Sequence, residues 1–475
     1  GSFLGSTAEC ILFEVGFNYS AIVSEQAPLL TVSVPLGLQM GSNPGDITVR
    51  GTGHPLNRAG IVPIAGTADN VGLNVKSGKT LALIGGGITL DGGILTAADG
   101  HLELGSVQNT EISLKPSSKG WQFSYDSVQN FKDIRLLKQA LVDASGMGGG
   151  SIQVQGNNID VQDGSLVLIR NFGFSPSQNI NISADNNLSI NGTTPDGSLA
   201  SGVVAQVLGT GAGGEIFIQA NQAILRDGGV ILNETYSPAP GCKIIIDVAN
   251  TLTLSGFSPL NPLASSAITS TSFSDGNAGK ILTSARNLVL KNGGIISTTT
   301  FGKGNGGDLT VNTTDSIEII IDTPVFFLPS SITAESIVAG NAGNLKINTG
   351  KLSMSGGGSI LASTRSSGKA GDILINASES IEVSGGNQIS DTLFFPSLIS
   401  SDAEPLPVDL QLLFGASALP SGDSGSIKIN TPILKIEKGA AVTVGNLGTG
   451  NAGNLNIQAG VIHLDNQGQI TAATE

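Results

Sequence analysis

Short alternations of apolar and polar residues run through most of the chain. In each one, two or three apolar residues are separated by single residues, as in Ile373-x-Ile375 and Ile381-x-Val383. A period of two indicates β-strands with one buried face. Glycine-rich segments separate the alternations, and the pattern therefore predicts an all-β protein made of many short strands.

The glycine-rich segments recur as a motif. Gly-Asn-Ala-Gly begins at residues 276, 340 and 450, and looser copies begin at 304, 368 and 422. The first apolar residue after each segment lies 28 residues after its predecessor, or at an enlarged interval of 36, 37 or 54 residues. A fixed period of this kind predicts a solenoid, here of ten coils. These residues are Ile152, Ile180, Ile216, Ile244, Ile281, Leu309, Leu345, Ile373, Ile427 and Leu455.

Each coil carries three alternations, which predicts a parallel β-helix with three strands per coil. The third alternation lies 13 residues before the next coil at most junctions. The enlargements therefore fall between the second and third strands, on every second coil, at 192–201, 256–266 and 322–331. The second strand begins 7 residues after the first in one coil and 8 in the next, which predicts a two-coil unit.

The largest enlargement follows a different pattern. In the coil that begins at Ile373 we expect the third strand at Ile389 and then an apolar, proline-rich insertion at about 394–420. Exposed apolar segments of this size often form interaction surfaces. The alternative is that the segment folds back over the coils. The candidate contact residues are Phe394, Phe395, Leu412, Leu413 and Phe414.

Glycine and asparagine have separate roles in the repeated turns. Glycine permits positive φ angles or close approach between neighbouring chain segments. Asn277, Asn305, Asn341 and Asn451 occupy one equivalent turn position. Asparagine tolerates left-handed conformations, and stacked asparagine side chains can hydrogen-bond along an axis. These four residues are therefore predicted to form a structural ladder.

Composition and charge exclude several functions. Only 13% of the residues are charged and the formal net charge is −14, with no basic run, so nucleic acid is not an expected partner. Cys10 and Cys242 lie more than 200 residues apart, which predicts free thiols and no cysteine-based zinc site. No apolar run reaches the length of a membrane-spanning helix.

The first 145 residues alternate less regularly. The segment 120–128 brings Trp121, Phe123 and Tyr125 together. Aromatic faces suit contact with sugars, and the alternative is a hairpin or corner with a packing role. The run 134–142 fits a helix or a strand, and the surrounding alternation favours a strand.

A polysaccharide-cleaving enzyme on a β-helix would need clustered carboxylates. Equivalent strand positions instead hold Ser, Thr, Asn and Ala. The histidines His54, His101 and His463 are scattered and expected at the surface. The calcium-binding nonapeptide of other β-helices is absent. We therefore predict no enzyme, no catalytic residue, no metal and no cofactor.

Several segments carry a resemblance to a known family. GSFLGSTA at 1–8, PLLTVSVPLG at 28–37 and NPGDITV at 43–49 resemble the later part of the haemagglutination-activity domain of two-partner-secretion exoproteins. VDASGMGGGSIQV at 142–154 and the GNAG coils look like cyanobacterial proteins of the filamentous haemagglutinin type. The resemblance implies a right-handed parallel β-helix that an outer-membrane transporter exports to the surface or surroundings of a Gram-negative bacterium.

The resemblance and the repeat together give an expected organisation and function. Residues 1–145 would be the C-terminal part of the secretion-type β-helix, and 146–475 the ten-coil repeat with its insertion. The expected function is a structural or adhesive rod outside the cell, with a glycan or another cell-surface ligand as partner. A polysaccharide-active enzyme and the stalk of a contact-dependent toxin are the alternatives. Neither end carries a polar cap, so we expect end-to-end association into a fibre or further coils.

Overall fold

Parallel strands stacked along one axis make up nearly all of the fold. The computed structural model describes residues 1–13, 18–20, 34–68, 71–117, 120–322, 329–390 and 393–474. Part of the segment 28–37 and part of the predicted protrusion 322–331 lie outside the described residues.

The strands of the first third of the chain are mostly short. They are β1 (Phe3–Ser6), β2 (Cys10–Leu12), β3 (Asn18–Ser20), β4 (Gly37–Met40), β5 (Ile47–Arg50), β6 (Leu73–Asn74), β7 (Thr80–Gly85), β8 (Ile88–Asp91), β9 (Ile94–Thr96), β10 (His101–Ser106), β11 (Thr110–Ser117), β12 (Gly120–Ser124), β13 (Ile134–Leu137) and β14 (Leu141–Asp143). The run 134–142 is therefore strand, as predicted.

The later strands are more uniform. They are β15 (Ser151–Gln162), β16 (Leu166–Asn171), β17 (Ile180–Asn191), β18 (Gly202–Val207), β19 (Ile216–Arg226), β20 (Val230–Thr235), β21 (Ile244–Ser255), β22 (Phe257–Ser258), β23 (Asn261–Ser265), β24 (Ala267–Ser272), β25 (Ile281–Lys291), β26 (Ile295–Thr300), β27 (Leu309–Ile320), β28 (Ser331–Ser336), β29 (Leu345–Ser355), β30 (Ser359–Thr364), β31 (Ile373–Ser384), β32 (Gly386–Ser390), β33 (Leu393–Pro396), β34 (Leu398–Ala403), β35 (Ile427–Glu437), β36 (Ala441–Asn446), β37 (Leu455–Asp465) and β38 (Gln469–Thr474). One helix, α1 (Val408–Phe414), lies among the described residues.

Two long sheets run the length of the molecule. The first has the order β1-β7-β10-β15-β17-β19-β21-β25-β27-β29-β31-β35-β37, and β5, β8 and β13 pair beside its beginning. The second is 13-stranded and runs from β6 and β9 through β14, β16 and the later third strands to β38. The pairs within both sheets are parallel, as between β29 and β31. The predicted parallel β-helix is therefore confirmed.

Each first strand and the third strand that follows it define one coil, and the coils are numbered in chain order. Coils 1 to 3 have separate first, second and third strands. From coil 4 onward, the first and second strands are one bent strand. The coils are β1/β5/β6, β7/β8/β9, β10/β13/β14, β15/β16, β17/β18, β19/β20, β21/β24, β25/β26, β27/β28, β29/β30, β31/β34, β35/β36 and β37/β38.

The bent strands alternate in length. From β17 to β35 they contain 12 and 11 residues in turn. The extra residue sits at the bend, where the register shifts between Ala285 and Asn287 opposite Thr313 and Ser316. A bulge accommodates the extra residue, so that the side chains of the following strand segment keep their inward and outward directions. This confirms the alternating 7- and 8-residue spacing.

The corner between second and third strands explains the two-coil unit. In coil 6, Asp227 and Gly228 both have positive φ, as the two central residues of a tight type I′ turn require. The next coil instead protrudes, and its Ser266 accepts a 3.1 Å hydrogen bond from the Gly228 N–H. Ser330 and Ser397 accept equivalent bonds from Gly293 and Gly357. Each protruding coil thus caps the tight turn of the coil before it.

The glycines of the GNAG turns are required by close approach between coils. A Cβ on Gly304 would overlap the carbonyl oxygen of Gly276, and one on Gly340 would overlap that of Gly304. A second column behaves in the same way, with Gly343 against the carbonyl oxygen of Gly307. None of these turn glycines has a positive φ, so the space between coils, rather than the backbone angle, excludes other residues.

The interior is one stack of aliphatic side chains. Ile, Leu, Val and Ala from coils 2 to 12 form a single buried cluster, in which Ile375 and Ile347 are almost fully buried. Each layer packs on the layers before and after it, so burial in one coil depends on its neighbours. Cys242 belongs to this cluster, and both cysteines are free, as predicted.

The prediction for coil 11 was wrong. Ile399 in β34, and not Ile389, pairs with Ile360 of the preceding third strand. Ile389 lies in β32, which forms an antiparallel hairpin with β33. The hairpin occupies the same corner as the other protrusions, so coil 11 follows the every-second-coil rule. The range predicted as one insertion at 394–420 is therefore divided among hairpin, third strand, α1 and the loops around α1.

Coils 1 to 3 carry additional structure outside the helix. A five-stranded antiparallel sheet, β12-β11-β4-β2-β3, covers the outer face of the first strands. Its apolar side chains, including Leu38, Met40 and Ile112, form a second buried cluster with Ala82 and Ile84 of β7.

Residues 51–68, here called the strap, lie across the third strands of coils 2 to 6. Arg58 of the strap forms a 2.6 Å ion pair with Glu234 and donates a 3.0 Å hydrogen bond to the Tyr236 hydroxyl. On coil 4, Arg170 donates hydrogen bonds to the carbonyl oxygens of Ile64 and Gly66 of the strap. The strap also contributes Leu56, Ile64 and Ala68 to a third buried cluster with the outward residues of these strands. The strap therefore ties the first coils to coils beyond residue 154.

Candidate ligand-binding groove

The aromatic segment 120–128 forms part of an antiparallel hairpin that stands on the outer face of coil 3. In this hairpin β11 pairs with β12, and Trp121 lies opposite Pro116. Phe123 is buried against the cluster beneath the antiparallel sheet, and Trp121 packs against the same cluster while remaining partly exposed. The hairpin thus holds the indole at the edge between apolar packing and solvent.

A chain of hydrogen bonds fixes the base of the hairpin. The Tyr125 hydroxyl donates to Glu103 Oε1 at 2.6 Å. His101 Nε2 lies 2.9 Å from Glu103 Oε2, and His101 Nδ1 lies 2.8 Å from Ser151 Oγ. Burial raises the pKa of Glu103, although hydrogen bonds from His101 and Tyr125 oppose the rise. Burial and the Glu103 carboxyl together raise the pKa of the Tyr125 hydroxyl well above its ordinary value.

The local sequence makes room for this contact. His101 and Glu103 are two residues apart on β10 and therefore point to the same outer face. Gly105, the next residue on that face, has no side chain, and a Cβ there would overlap the Tyr125 hydroxyl. His101 pairs in register with Ser151, and the parallel sheet therefore sets the distance between these two side chains in the series of hydrogen bonds.

A groove of about 640 Å³ lies between the hairpin and the outer face of coils 3 to 5. Its volume falls within the roughly 300–1,000 Å³ of small-molecule sites. A second stretch of about 600 Å³ shares Phe123, Gln153 and Asn181 with it and continues along the coils. The first stretch is lined by His101, Ser117, Trp121, Gln122, Phe123, Ser151, Gln153, Ser177, Gln178, Asn179 and Asn181.

The other predicted contact residues do not come together with Trp121. Phe394 and Phe395 lie on β33 of the coil 11 hairpin, and both are partly exposed. Leu412 and Leu413 lie on α1 and are 81% and 71% exposed. Phe414 instead packs back on the coils, with its ring centroid 5.2 Å from that of Phe301.

An aromatic column runs under Phe414 along the corner after the third strands. Tyr236 stacks on Phe273 at 4.7 Å, and Phe273 stacks on Phe301 at 5.2 Å. Tyr236 also contacts the strap through Arg58. The column therefore connects the strap, which precedes the repeat, to α1, which follows coil 11.

Three of the four predicted turn asparagines accept a hydrogen bond from the backbone N–H of the next turn, rather than from the next asparagine side chain. Asn277 Oδ1 accepts a 2.8 Å hydrogen bond from the Asn305 N–H, and Asn305 Oδ1 accepts one of 3.0 Å from the Asn341 N–H. At the last turn, the Asn451 N–H donates to Asp423 Oδ1. These asparagines do not have positive φ angles, so their tolerance of that conformation is not what places them.

Sequence reasoning missed a second asparagine series. Asn312, Asn348, Asn376 and Asn430 lie at the bend of coils 9 to 12, and each amide donates to the Oδ1 of the preceding one at 2.7 to 2.8 Å. Asn348, Asn376 and Asn430 line a groove of about 560 Å³. Their spacings equal those of the first apolar residues, 36, 28 and 54, and this signal could have identified them.

The expectation of surface histidines was wrong for two of the three. His54 is 3% exposed because the strap presses it onto coil 4, where Nε2 lies 2.8 Å from the Gly164 carbonyl oxygen. Burial lowers its pKa. His101 is partly buried beneath the hairpin. No group of three or more His, Cys, Asp or Glu side chains suited to a metal ion occurs in the described part of the chain.

Comparison with known proteins places the N-terminal third in a family. Residues 1–154 match the family model described as TPS secretion domain. No curated protein and no solved structure matches the chain. The match ends near the first strand of coil 4, so the GNAG turns lie outside it. Among the described residues, no helix has the length and apolar character needed to cross a membrane.

Proposed function

Because its first 154 residues match the family model of the TPS secretion domain, this chain is a two-partner-secretion exoprotein of the filamentous haemagglutinin type, and we propose that it acts outside the cell as a stiff adhesive rod. The secretion domain implies export across the outer membrane through a two-partner-secretion transporter. Whether the rod then stays on the cell surface or is released is part of the proposal, and we favour display at the surface.

The observation that carries the rod proposal is the unbroken parallel register of the 13-stranded sheet. Neighbouring coils are joined by strand pairing, by two glycine columns and by asparagine bonds, so little freedom remains to bend. At about 4.8 Å per coil, thirteen coils give a rod of about 60 Å. Exposed side chains on α1 and the Trp121 groove offer places for adhesive contacts along it.

We propose that the secretion-type part ends at about residue 145 and that the repeat begins at 146. The first three coils carry the antiparallel sheet and the strap, whereas coil 4 begins the uniform spacing. The proposal treats these parts as sequence units within one continuous helix. The strap bonds to Gln139 before the division and to Arg170 and Glu234 after it.

A second candidate function is hydrolysis, favoured by the order Ser151–His101–Glu103. A histidine held by a carboxylate is the arrangement that activates a serine hydroxyl as a nucleophile. The nearby N–H groups that could stabilise an oxyanion are already used, because Ser151 N–H donates to Gly100 and Gly150 N–H to Ala144. Glu103 is buried under Tyr125. We therefore propose that the chain is not an enzyme, and a fluorophosphonate probe should leave Ser151 unlabelled.

The alternative proposals are end-to-end self-association of the rod and a role as the stalk of a contact-dependent toxin. The inward side chains of β37, such as Ile462 and Leu464, are about half exposed. A further coil, from the same chain or from another copy, would cover them by the same parallel pairing.

Electron microscopy of the purified chain tests the rod proposal. We expect straight particles, about 60 Å long or multiples of that length, with layers spaced by about 4.8 Å. Compact round particles without layers would contradict it. Attachment of rod-coated beads to cell surfaces tests the adhesive part, with uncoated beads as the control.

A further inference from the structure

We infer that the groove beside Trp121 binds a neutral, hydroxyl-rich oligosaccharide, with one sugar ring stacked on the indole and the following rings along the amide side chains of coils 4 and 5. The inference deepens the proposed adhesive function, on which it rests, by naming a site and a class of ligand. Three features of the groove carry it: its aromatic wall, its amide groups that face solvent, and its charge.

The aromatic wall is held rigidly at the mouth of the groove. The backbone N–H of Trp121 donates to Thr80 Oγ1 at 3.3 Å. The base of the hairpin is fixed by the hydrogen bond from the Tyr125 hydroxyl to Glu103. A pyranose ring presents C–H groups on one face and hydroxyls around its edge. A fixed indole face therefore binds the ring without a large loss of side-chain entropy on binding.

The floor presents amides that no other part of the described chain uses. Gln153 and Asn181 line both stretches of the groove, and neither side chain has a hydrogen-bond partner within the described residues. Each amide has donors and an acceptor, so it can bind a hydroxyl in either direction. Asn179 uses Oδ1 to accept a bond from the Glu215 N–H, which leaves its amide N–H groups for a ligand.

The charge of the groove favours an uncharged ligand. Neither stretch is lined by Lys or Arg, and their ionisable residues are His101, Tyr125 and Asp126. The whole chain has a formal net charge of −14. Sulfated sugars and uronic acids would therefore meet repulsion without a basic partner.

A second amide-lined groove, over coils 9 to 12, differs from the Trp121 groove in two respects. The groove over coils 9 to 12 is similar in size and is lined by Asn348, Asn376 and Asn430. There the asparagine amides bond to each other in a ladder, and no aromatic side chain lines the groove. The amides of that groove therefore bond mostly to each other, with Asn430 Oδ1 left over, whereas Gln153 and Asn181 are both without a partner among the described residues and lie beside an aromatic ring.

Tryptophan fluorescence of the intact chain tests the inference directly, because Trp121 is the single tryptophan. The probes are the neutral hexasaccharides of cellulose, xylan, mannan, laminarin and starch, with hexagalacturonate and a heparin hexasaccharide as acidic probes. We expect a saturable change in emission with at least one neutral probe and none with the acidic ones. No response to any neutral probe, or a response only to acidic ones, would overturn the inference.

Calorimetry on variants then locates the site for the responding probe. Trp121→Ala should weaken binding about tenfold or more, and Trp121→Phe should restore part of it. Asn181→Ala should weaken binding about fivefold. Asn456 occupies the register-equivalent position of Asn181 on β37, so Asn456→Ala is the matched control and should bind like the native chain.

Unchanged binding in the folded Trp121→Ala and Asn181→Ala chains would overturn the inference, with circular dichroism as the check on folding. The proposed rod fails in a different experiment. Rods in the microscope with no sugar response would refute the groove and leave the rod intact, whereas round particles would refute the rod whatever Trp121 reports.

Discussion

Coils 1 to 3 and coils 4 to 13 form the same helix but are stabilised in different ways. The first three have short, irregular strands and are supported from outside by the antiparallel sheet and the strap. The later coils have longer strands and are joined through the columns of glycine and asparagine in their turns. Regular sequence allows coils to stabilise each other directly, whereas irregular coils need added elements. The predictions below test each kind of support.

The largest effect is expected from a glycine of the repeat. In Gly343→Val the new side chain would overlap the carbonyl oxygen of Gly307 and separate coils 9 and 10. We expect a loss of more than about 4 kcal/mol in the free energy of unfolding. Urea denaturation measures it. Gly385→Ala is the control, since a Cβ there meets nothing within 4 Å and only the positive φ opposes it, at about 1–2 kcal/mol. Equal losses in the two variants would contradict close approach as the cause.

The next effect concerns the shared interior. Ile375→Asp places a charge among fully buried aliphatic side chains and should cost about 3–5 kcal/mol. Leu374→Asp, one residue earlier, points to the outer face and should cost less than about 1 kcal/mol. Thermal unfolding of both variants measures the difference. If Leu374→Asp were the more damaging of the two, the assignment of inner and outer faces would be wrong.

A smaller and more local effect is expected at the strap. Arg58→Ala leaves Glu234 buried without its cation, which should cost about 3 kcal/mol of strap docking. Thermolysin should then cleave the variant within residues 54–66 while the later coils resist. Arg226→Ala is the control, because that arginine is exposed and lies 4.0 Å from Asp227. A strap that resists cleavage in Arg58→Ala would show that the ion pair does not hold it.

The smallest effect depends on pH and lies in coil 11. Burial raises the pKa of Asp402 to about 6, although bonds from Ser400 and the Gly445 N–H oppose the rise. Between about pH 4 and pH 6, the folded chain therefore binds more protons at Asp402 than the unfolded chain does. As the pH rises through that window, the Asp402 carboxyl lowers the free energy of unfolding.

Asp402→Asn removes the buried charge, so at pH 7.5 the variant should be more stable than the native chain by about 2 kcal/mol. At pH 4 the two should unfold at the same temperature. The exposed Asp409→Asn on α1 serves as the control. A variant that is less stable than the native chain at pH 7.5 would show that the carboxylate is favoured in the fold.

The sequence predicted the regular part of this molecule well because the same pattern of buried and exposed residues repeats in every coil. Each Ile, Leu or Val that begins a coil pairs with its predicted equivalent, as Ile180 does with Ile216. The error at Ile389 has a clear reason. The segment GNQIS at 386–390 alternates like a third strand, and it does form a strand. It pairs in a local hairpin instead of with the preceding coil, and the alternation is the same for both kinds of pairing.

The added elements and the groove could be predicted only in part. The strap has apolar residues without a period, such as Leu56 and Ile64. Their buried cluster draws on strands as far along the chain as Val204. Trp121 stood out by its aromatic neighbours. Gln153 and Asn181 did not, because outward-facing amides occur throughout the repeat, and only the position of the hairpin selects these two.

The central claim is that the secretion domain and the repeat are one continuous body, joined by the strap. Hydrogen exchange of the intact chain, followed by mass spectrometry, tests it most directly. Peptides covering strap residues 54–66 and strand β20 (Val230–Thr235) should exchange slowly and with the same opening free energy, because Arg58 of the strap is paired with Glu234 of β20. Rapid exchange of the strap beside a protected β20 would contradict the claim.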